Sequence, residues 1–351
     1  MLRSMDSAVS GLRAHQNKLD VIGHNIANVN TFGFKTQNYS FKEAMYQTVT
    51  QSTGGVQNTD TTAAGTNAAQ YGYGTLMGSI TTDMTSSTPT YVGGLNACID
   101  GQGFFITHAL SNVADAVVTD PDPGADPTET SAAENTLKGK GFAYTRVGQF
   151  QLDSKGFLTD GTNFIYGFQP NAAEDAEPDD GPFLCDKLVA LRVPTDAKID
   201  ENDKSKVILE FDSTKPSMQA KNVKINELGE VVATVTIDVT TKDADGKDIT
   251  SKQDIQVSLG KIAIATFQNQ EGLAKSGGSY YAAGLGDNTG YCAAEIAGNG
   301  IKLMSGYLEA SNVDLAKEFA DLITTQRGFQ ANTKIITVSD EILSDLISMK
   351  R

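Results

Sequence analysis

Two terminal stretches of the chain carry apolar or small residues at alternating steps of three and four. The first stretch runs from residue 2 to residue 26, and Ile22 widens its stripe. Its spaced positions are Leu2, Met5, Val9, Leu12, Gln16, Leu19, Gly23 and Ile26. This spacing predicts a helix with a coiled-coil-like face, which ends at the Asn- and Gly-containing turn of residues 28–33.

The same spacing returns more strongly near the other end of the chain. Its positions are Leu315, Phe319, Leu322, Gln326, Phe329, Thr333, Ile336, Asp340, Leu343 and Ile347. A second stripe, with Ile323, Ile335, Ile342 and Leu346, flanks the first. A helix with two apolar faces needs two partners, so we expect the N-terminal helix on one face and a neighbouring subunit on the other. An intramolecular helical hairpin alone is the alternative. With Ser311 or Asn312 as N-cap, the helix is predicted to begin near residue 312.

Between the helices the pattern is typical of β-strands. Alternating or β-branched runs occur at residues 103–107, 144–152, 207–211, 231–239, 255–259 and 262–267. Turn sequences separate them. Three stretches poor in apolar residues, 51–70, 119–135 and 172–182, are interpreted as mobile surface insertions.

Charge and composition exclude several classes of function. The 351-residue chain has a formal net charge of −15 and only 20% charged residues. An acidic protein lacks the positive surface that nucleic acid or an anionic membrane requires, so neither is an expected partner. We expect neither a membrane span nor a cleaved signal peptide, because no apolar run is long enough and charges interrupt the first 20 residues.

No residues suggest catalysis, a cofactor or a metal. Cys98, Cys185 and Cys292 are widely spaced, and the three histidines include no metal-binding pair. The acidic run 243–248 lacks the distal ligands of a calcium loop, so we interpret it as a hairpin turn. The glycine pairs at 101–103 and 139–141 lack the rest of a dinucleotide-binding motif.

Long motifs at both ends resemble one known family. Residues 10–35 read SGLRAHQNKLDVIGHNIANVNTFGFK, and residues 305–343 read SGYLEASNVDLAKEFADLITTQRGFQANTKIITVSDEIL. Both are similar to the terminal motifs of flagellar rod and hook proteins. Residues 39–48, 99–105, 144–150, 260–267 and 270–273 also match, in the same order. The resemblance covers well over half of the chain and favours the hook branch.

The resemblance implies a mixed fold in three parts. Residues 1–75 and 305–351 would form a helical domain in which the N- and C-terminal helices pair as a coiled coil. Residues 76–170 and 260–304 would form an inner mainly-β domain. Residues 171–259 would form an inserted outer β domain.

The resemblance also implies a structural subunit of the flagellar hook rather than an enzyme. Its partners would be copies of itself, the distal rod and hook–filament junction proteins, the hook cap and the flagellar type III export apparatus. It would lie outside the cell. The predicted assembly residues are Leu12, Leu19, Ile22, Asn25, Ile26, Asn28, Asn30, Gly33, Leu315, Phe319, Leu322, Gln326, Arg327, Phe329, Asn332, Ile336, Leu343 and Ile347. Cys185, beside Lys187, is a candidate for a covalent link between subunits, because some hook proteins are joined through Cys and Lys.

Two alternatives remain at this stage. The distal rod protein shares both terminal motifs, and the middle segment favours the hook over it. A secreted enzyme or adhesin with axial-type ends belongs to a different class of protein. An activity assay on residues 80–300 would identify such an enzyme.

Overall fold

The chain folds into two units. The structure is a computed structural model that describes residues 2–57, 62–109, 116–117, 137, 141–170, 183–199, 207–211, 216–242, 248–284, 286–290, 292–296 and 301–349. The terminal unit comprises Met1–Asn30, Lys35–Asp83 and Asn312–Arg351, and the central unit comprises Thr31–Phe34 and Met84–Ser311.

Two helices form the terminal unit's scaffold. Helix α1 spans Leu2–Ala27 and helix α2 spans Leu315–Met349. The start predicted for α2 near residue 312 is wrong by three residues. The Asp314 carboxylate accepts the backbone N–H groups of Ala316 and Lys317, so Asp314 is the N-cap. The Asn312 side chain is bonded instead to the chain around residues 36 and 83.

A long two-stranded ribbon completes the terminal unit. Its strands are β1 (Gln37–Glu43), β2 (Tyr46–Thr50), β3 (Val56–Gln57), β4 (Thr62–Ala63), β5 (Ala69–Gly72) and β6 (Thr75–Thr82). They pair antiparallel as β1 with β6, β2 with β5 and β3 with β4, so the two arms of one hairpin lie side by side. The described part of residues 51–70 is paired within this hairpin, and its mobility stays a prediction.

The central unit is built from strands. They are β7 (Pro89–Tyr91), β8 (Ala97–Asp100), β9 (Phe104–Ala109), β10 (Ala116–Val117), β11 (Phe142–Thr145), β12 (Gln151–Leu152), β13 (Leu158–Thr159), β14 (Asn163–Pro170), β15 (Phe183–Ala190), β16 (Asp196–Ile199), β17 (Val207–Glu210), β18 (Ala220–Ile225), β19 (Glu230–Lys242), β20 (Asp248–Phe267), β21 (Ala274–Gly277), β22 (Tyr280–Ala282), β23 (Cys292–Ile296), β24 (Lys302–Ser305) and β25 (Tyr307–Glu309). A 3₁₀ turn covers Gln270–Gly272. The main sheet has the order β10-β15-β14-β20-β9-β11-β22-β21. Strand β20 also pairs with β19 and β23.

The central strands β9 and β20 of the main sheet are buried on both faces. Along β9, Phe104 and Ile106 belong to one core cluster and Phe105 belongs to the other. Strand β20 alternates in the same way, with Ala263 in the first cluster and Ile264 in the second. Successive strand residues point to opposite faces, so strands between two cores become continuous apolar runs. This explains why residues 103–107 and 262–267 were recognisable as strands.

The structure confirms the coarse fold class: an N-terminal helix, a C-terminal helix and a mostly β middle. The predicted hairpin at 243–248 is flanked by β19 and β20, which pair from Lys242 and Asp248 outward; residues 243–247 lie outside the described residues. The suggested insertions at 119–135 and 172–182 also lie outside them. The boundaries proposed for an outer domain at 171–259 stay a prediction.

Candidate functional site

The two terminal helices pack against each other in antiparallel orientation. Four contacts follow in order along α1 and in reverse order along α2. They join Gly11 to Asn332, His15 to Gly328, Lys18 to Asp321, and Asn25 to Glu318. Steps of three, four and seven residues separate them on each helix, as expected when one face of each helix meets the other.

Small and polar side chains form this helix–helix seam. On α1 the buried residues are Ala8, Gly11, Ala14, Ile22 and Asn25, and on α2 they are Glu318, Thr325 and Ser339. A Cβ atom on Gly328 would lie 2.7 Å from Cε1 of His15. A Cβ atom on Gly11 would lie 2.7 Å from Nδ2 of Asn332. The glycines therefore allow the helices to approach closely.

Larger apolar side chains of α2 lie on the outside of the pair. We call Leu315, Phe319, Ile323, Ile335, Val338, Ile342 and Leu346 the outer face. Each of these side chains is 40–57% exposed. Ile347, near the helix end, is 69% exposed. Large apolar side chains of α2 therefore stay exposed, although α2 packs against α1.

The predicted assembly residues divide between buried and exposed positions. Asn25, Ile22 and Gly33 are buried. Those that are half-buried are Leu12, Leu19, Ile26, Asn28, Leu322, Phe329, Asn332, Ile336 and Leu343. Those that are exposed are Asn30, Leu315, Phe319, Gln326, Arg327 and Ile347. Whether they act in assembly stays a prediction.

A buried amide network joins both helices to the start of β1. The Asn25 side chain accepts the N–H of Gln37 at 3.0 Å and donates to its carbonyl at 2.9 Å. The same amide donates to Glu318 Oε1 at 3.2 Å. The Asn25 side chain thus makes the two hydrogen bonds that a neighbouring strand would make with Gln37. Both backbone groups of Gln37 are thereby satisfied.

A second asparagine binds the neighbouring residues. Asn312 Oδ1 accepts the N–H of Thr36 at 2.7 Å, and its Nδ2 donates to the carbonyl of Asp83 at 3.0 Å. The segment before α2 is thereby tied to both ends of the ribbon. The sequence pattern favoured Asn312 as a helix cap and did not predict these hydrogen bonds.

We expect Asn25→Asp to lower the free energy of unfolding of the terminal unit by about 1–3 kcal/mol. An aspartate lacks the two amide donations and places a second carboxylate beside Glu318. Urea unfolding followed by helical circular dichroism at pH 7.5 measures the loss. Asn28→Ala is the control, because Asn28 makes exposed contacts with His24 on its own helix. Equal effects of the two substitutions would contradict a special role for Asn25.

Three other predicted residues have local roles. Asn28 Nδ2 donates to the carbonyl of His24 at 2.9 Å, at the end of α1. Arg327 Nη1 reaches Gln330 on its own helix at 3.5 Å. Gly33, in the central unit, has φ +67°, and a Cβ atom there would lie 2.8 Å from Cγ2 of Val147. Both its backbone angle and its surroundings require glycine.

Two titratable groups of the seam, His15 and Glu318, have shifted pKa values. His15 Nδ1 is buried without a hydrogen-bond partner, and the ring is 5.3 Å from that of Phe41. Burial and, to a lesser extent, the charge of Lys18 lower the pKa of His15. Burial raises the pKa of Glu318, an effect that the hydrogen bond from Asn25 partly opposes.

The lowered pKa of His15 predicts acid sensitivity of the terminal unit. The unfolded chain takes up the proton first, so the contribution of His15 is complete above its ordinary pKa of 6.5 and falls as the pH drops below it. Glu318 acts in the opposite direction: its contribution is present below its ordinary pKa of 4.5 and is lost as the pH rises through its raised value. Urea midpoints at pH 7.5 and 5.5 should therefore differ less in His15→Gln than in the unchanged protein. His24→Gln, an exposed change on the same helix, should keep the original difference. An unchanged pH response in His15→Gln would refute the assignment.

The described residues contain no cluster of three or more His, Cys, Asp or Glu side chains that could hold a metal ion. Within the same residues, no helix is long and apolar enough to cross a membrane. Cys98 and Cys292 are buried, and neither is in a disulfide bond. The Cys185 side chain lies outside the described part, so its proposed cross-link stays a prediction.

Comparison with known proteins places these features in a family. A family model described as flagella basal body rod protein matches residues 5–35. A second, described as flagellar basal body rod FlgEFG protein C-terminal, matches residues 304–349. The two matches cover most of α1 and α2.

Curated relatives match over their full length. The flagellar basal-body rod protein FlgG of Bacillus subtilis is 34% identical over 353 aligned residues, covering 100% of both chains. The flagellar hook protein FlgE of Borreliella burgdorferi is 29% identical over 448 aligned residues, again covering 100% of both. The hook protein FlgE of Salmonella typhimurium is 26% identical, covering 99% of this chain and 100% of its own.

The relatives matched over the whole chain are flagellar rod and hook proteins, which are structural proteins and not enzymes. The chain belongs to the family of flagellar rod and hook proteins.

Proposed function

We propose that the chain polymerises into the flagellar hook, a curved tube that transmits torque from the motor to the filament. The observation that carries this proposal is the outer face of α2. Its large apolar side chains are exposed in the monomer, although α2 already packs against α1 through its other side. In this arrangement the helices pair as a coiled coil, and the outer face packs against a second copy of the chain.

The distribution of exposed apolar residues supports self-assembly. Besides the outer face, the ribbon of the terminal unit exposes large side chains along both arms: Phe41, Met45, Tyr46, Val49, Tyr71, Tyr73, Leu76, Met77 and Ile80. An apolar surface of this extent marks an interaction site. Contacts between different surfaces of identical subunits build an open helical polymer when they do not close into a ring.

The distal rod is the second candidate function. The relative named as a rod protein aligns over 353 positions with 34% identity, close to the 351 residues of this chain. The relatives named as hook proteins align over 448 and 427 positions. The hook is favoured by residues 39–48, which continue the N-terminal motif as in hook proteins. The middle segment 171–259 does not separate the two candidates, because the rod relative aligns over the whole of this chain. In the hook proposal that segment forms the outer domain, while 76–170 and 260–304 form the inner one.

The proposal also defines partners and location. The subunit would be exported by the flagellar type III apparatus and assembled outside the cell under a hook cap. It would contact the distal rod at one end of the tube and the hook–filament junction proteins at the other.

Electron microscopy of the purified full-length protein, concentrated under polymerising conditions, tests the proposal. Curved tubes are expected for a hook subunit, whereas straight tubes would favour the rod. A protein that stays monomeric at every concentration and ionic strength tried would contradict both.

A further inference from the structure

The chain passes between the two units at four points, after residues 30, 34, 83 and 311. Within the central unit, three segments adjoin these points: 31–34, 84–88 and 309–311. We call them the linking segments. All three meet at one residue, Glu309.

Glu309 binds the linking segments through both its backbone and its side chain. Its carbonyl accepts the N–H of Gly33 at 2.8 Å, and its Oε1 accepts the N–H of Ser87 at 3.0 Å. Two further bonds join the second and third segments. The Ala310 N–H donates to the Thr88 carbonyl at 3.3 Å, and the Ser87 hydroxyl donates to the Ser311 carbonyl at 3.1 Å.

The Glu309 carboxylate is paired with a buried cation, Arg146. Nε of Arg146 lies 2.9 Å from Oε2 of Glu309, and both side chains are at most 1% exposed. The guanidinium also donates to the Gly101 carbonyl at 2.5 Å and lies over the ring of Phe104. These contacts fix the position of the buried Arg146 side chain. Arg146 directly follows β11, and the next residue, Val147, lies beside Gly33.

Such a pair is costly to desolvate and adds little net stability compared with an apolar pair of the same shape. Its effect here is to hold the linking segments in position, because an ionised acceptor such as Glu309 makes stronger hydrogen bonds than a neutral one.

We propose that the Arg146–Glu309 pair is a clasp that fixes the three linking segments together inside the central unit. Opening the clasp releases these segments while the main sheet remains folded. In a polymer, a load applied through the terminal helices would enter the central unit at this clasp. That mechanical consequence rests on the proposed function, whereas the clasp itself does not.

Hydrogen exchange of the monomeric full-length protein tests the clasp independently of polymerisation. The variants are Arg146→Met, Glu309→Gln and the double variant, which removes both charges of the pair and keeps an acceptor for Ser87. In the double variant we expect exchange at the Gly33 and Ser87 amides to accelerate about tenfold to hundredfold, while amides of β9 and β14 change little. Each single variant leaves one charge buried without its partner, so the double variant should be less perturbed than the sum of the two.

Ile165→Val is the matched control, because this residue lies in the core of β14 and contributes to stability without touching the linking segments. If Ile165→Val accelerates Gly33 and Ser87 as much as the double variant does, the effect is global and the clasp is refuted. Unchanged exchange at both amides in the double variant would refute it as well, and so would strict additivity of the single variants. Failure of the unchanged protein to polymerise would affect the proposed function alone.

Discussion

Gly148→Ala is expected to lower the free energy of unfolding of the central unit by at least about 3 kcal/mol. A Cβ atom on Gly148 would lie 1.6 Å from the carbonyl oxygen of Ala97 and 3.1 Å from Cε2 of Phe105. The two backbones are already joined, since the Ala97 N–H donates to the Gly148 carbonyl at 2.9 Å. The clash is with main chain, so no side-chain rotation relieves it. A small domain is stable by only about 5–15 kcal/mol, so one methyl group removes a large share of the total.

Thermal unfolding followed by far-ultraviolet circular dichroism measures this effect. Gly284→Ala is the matched control, because nothing lies within 4 Å of a Cβ atom at Gly284 and no positive φ is involved. It should change stability by no more than about 0.5 kcal/mol. A Gly148→Ala protein as stable as this control would show that the approach of residues 97 and 148 is not required.

The second large effect is expected on the outer face of α2. In Ile335→Asp/Ile342→Asp, two side chains that are 45% and 43% exposed become charged. Burying two carboxylates against a neighbouring apolar surface is strongly unfavourable, so the concentration needed for polymerisation should rise at least about tenfold. The monomer should keep its helix content, because neither side chain lies in the seam with α1.

The matched control is Thr337→Asp/Ser344→Asp. It adds the same two charges with the same spacing at exposed polar positions of the same helix. Sedimentation assays over a concentration series compare the three proteins. Polymerisation of Ile335→Asp/Ile342→Asp at the original concentration would contradict a role of the outer face. Equal loss in the control would show that repulsion between charges, and not apolar contact, governs assembly.

The helix–helix seam shows which features of the fold the spacing of apolar residues can predict and which it cannot. Spacing of three and four predicted both helices, and one predicted row of α2, Leu322, Phe329, Ile336 and Leu343, is half-buried. The other predicted row, Phe319, Gln326, Thr333, Asp340 and Ile347, is exposed. A neighbouring row that was not predicted lies in the seam instead: Glu318, Thr325, Asn332 and Ser339. These four polar residues also repeat every seven positions, which was the available signal. Apolar residues alone identify a helix that needs partners, but not which partner each face contacts.

Other residues of the site could not have been found from local sequence. Asn312 and Thr36 are 276 positions apart, yet they are joined by a hydrogen bond. The Arg146–Glu309 pair likewise joins distant segments. Each residue type alone is common on protein surfaces, so burial and partners become known only when the chain is folded.

By itself, the sequence determined the two terminal helices, the β-rich middle, the absence of recognisable catalytic or metal-binding motifs, and the resemblance to axial flagellar proteins. These properties depend on local periodicity and on motifs that lie close together in the chain. The tertiary structure alone decided that the seam is polar and closely packed, that the apolar side of α2 stays exposed, and that Glu309 gathers the linking segments. The physical reason is that the burial of a side chain depends on its neighbours in space. Gly11 and Gly328 allow the two helix backbones to approach closely, and small and polar side chains therefore lie between them.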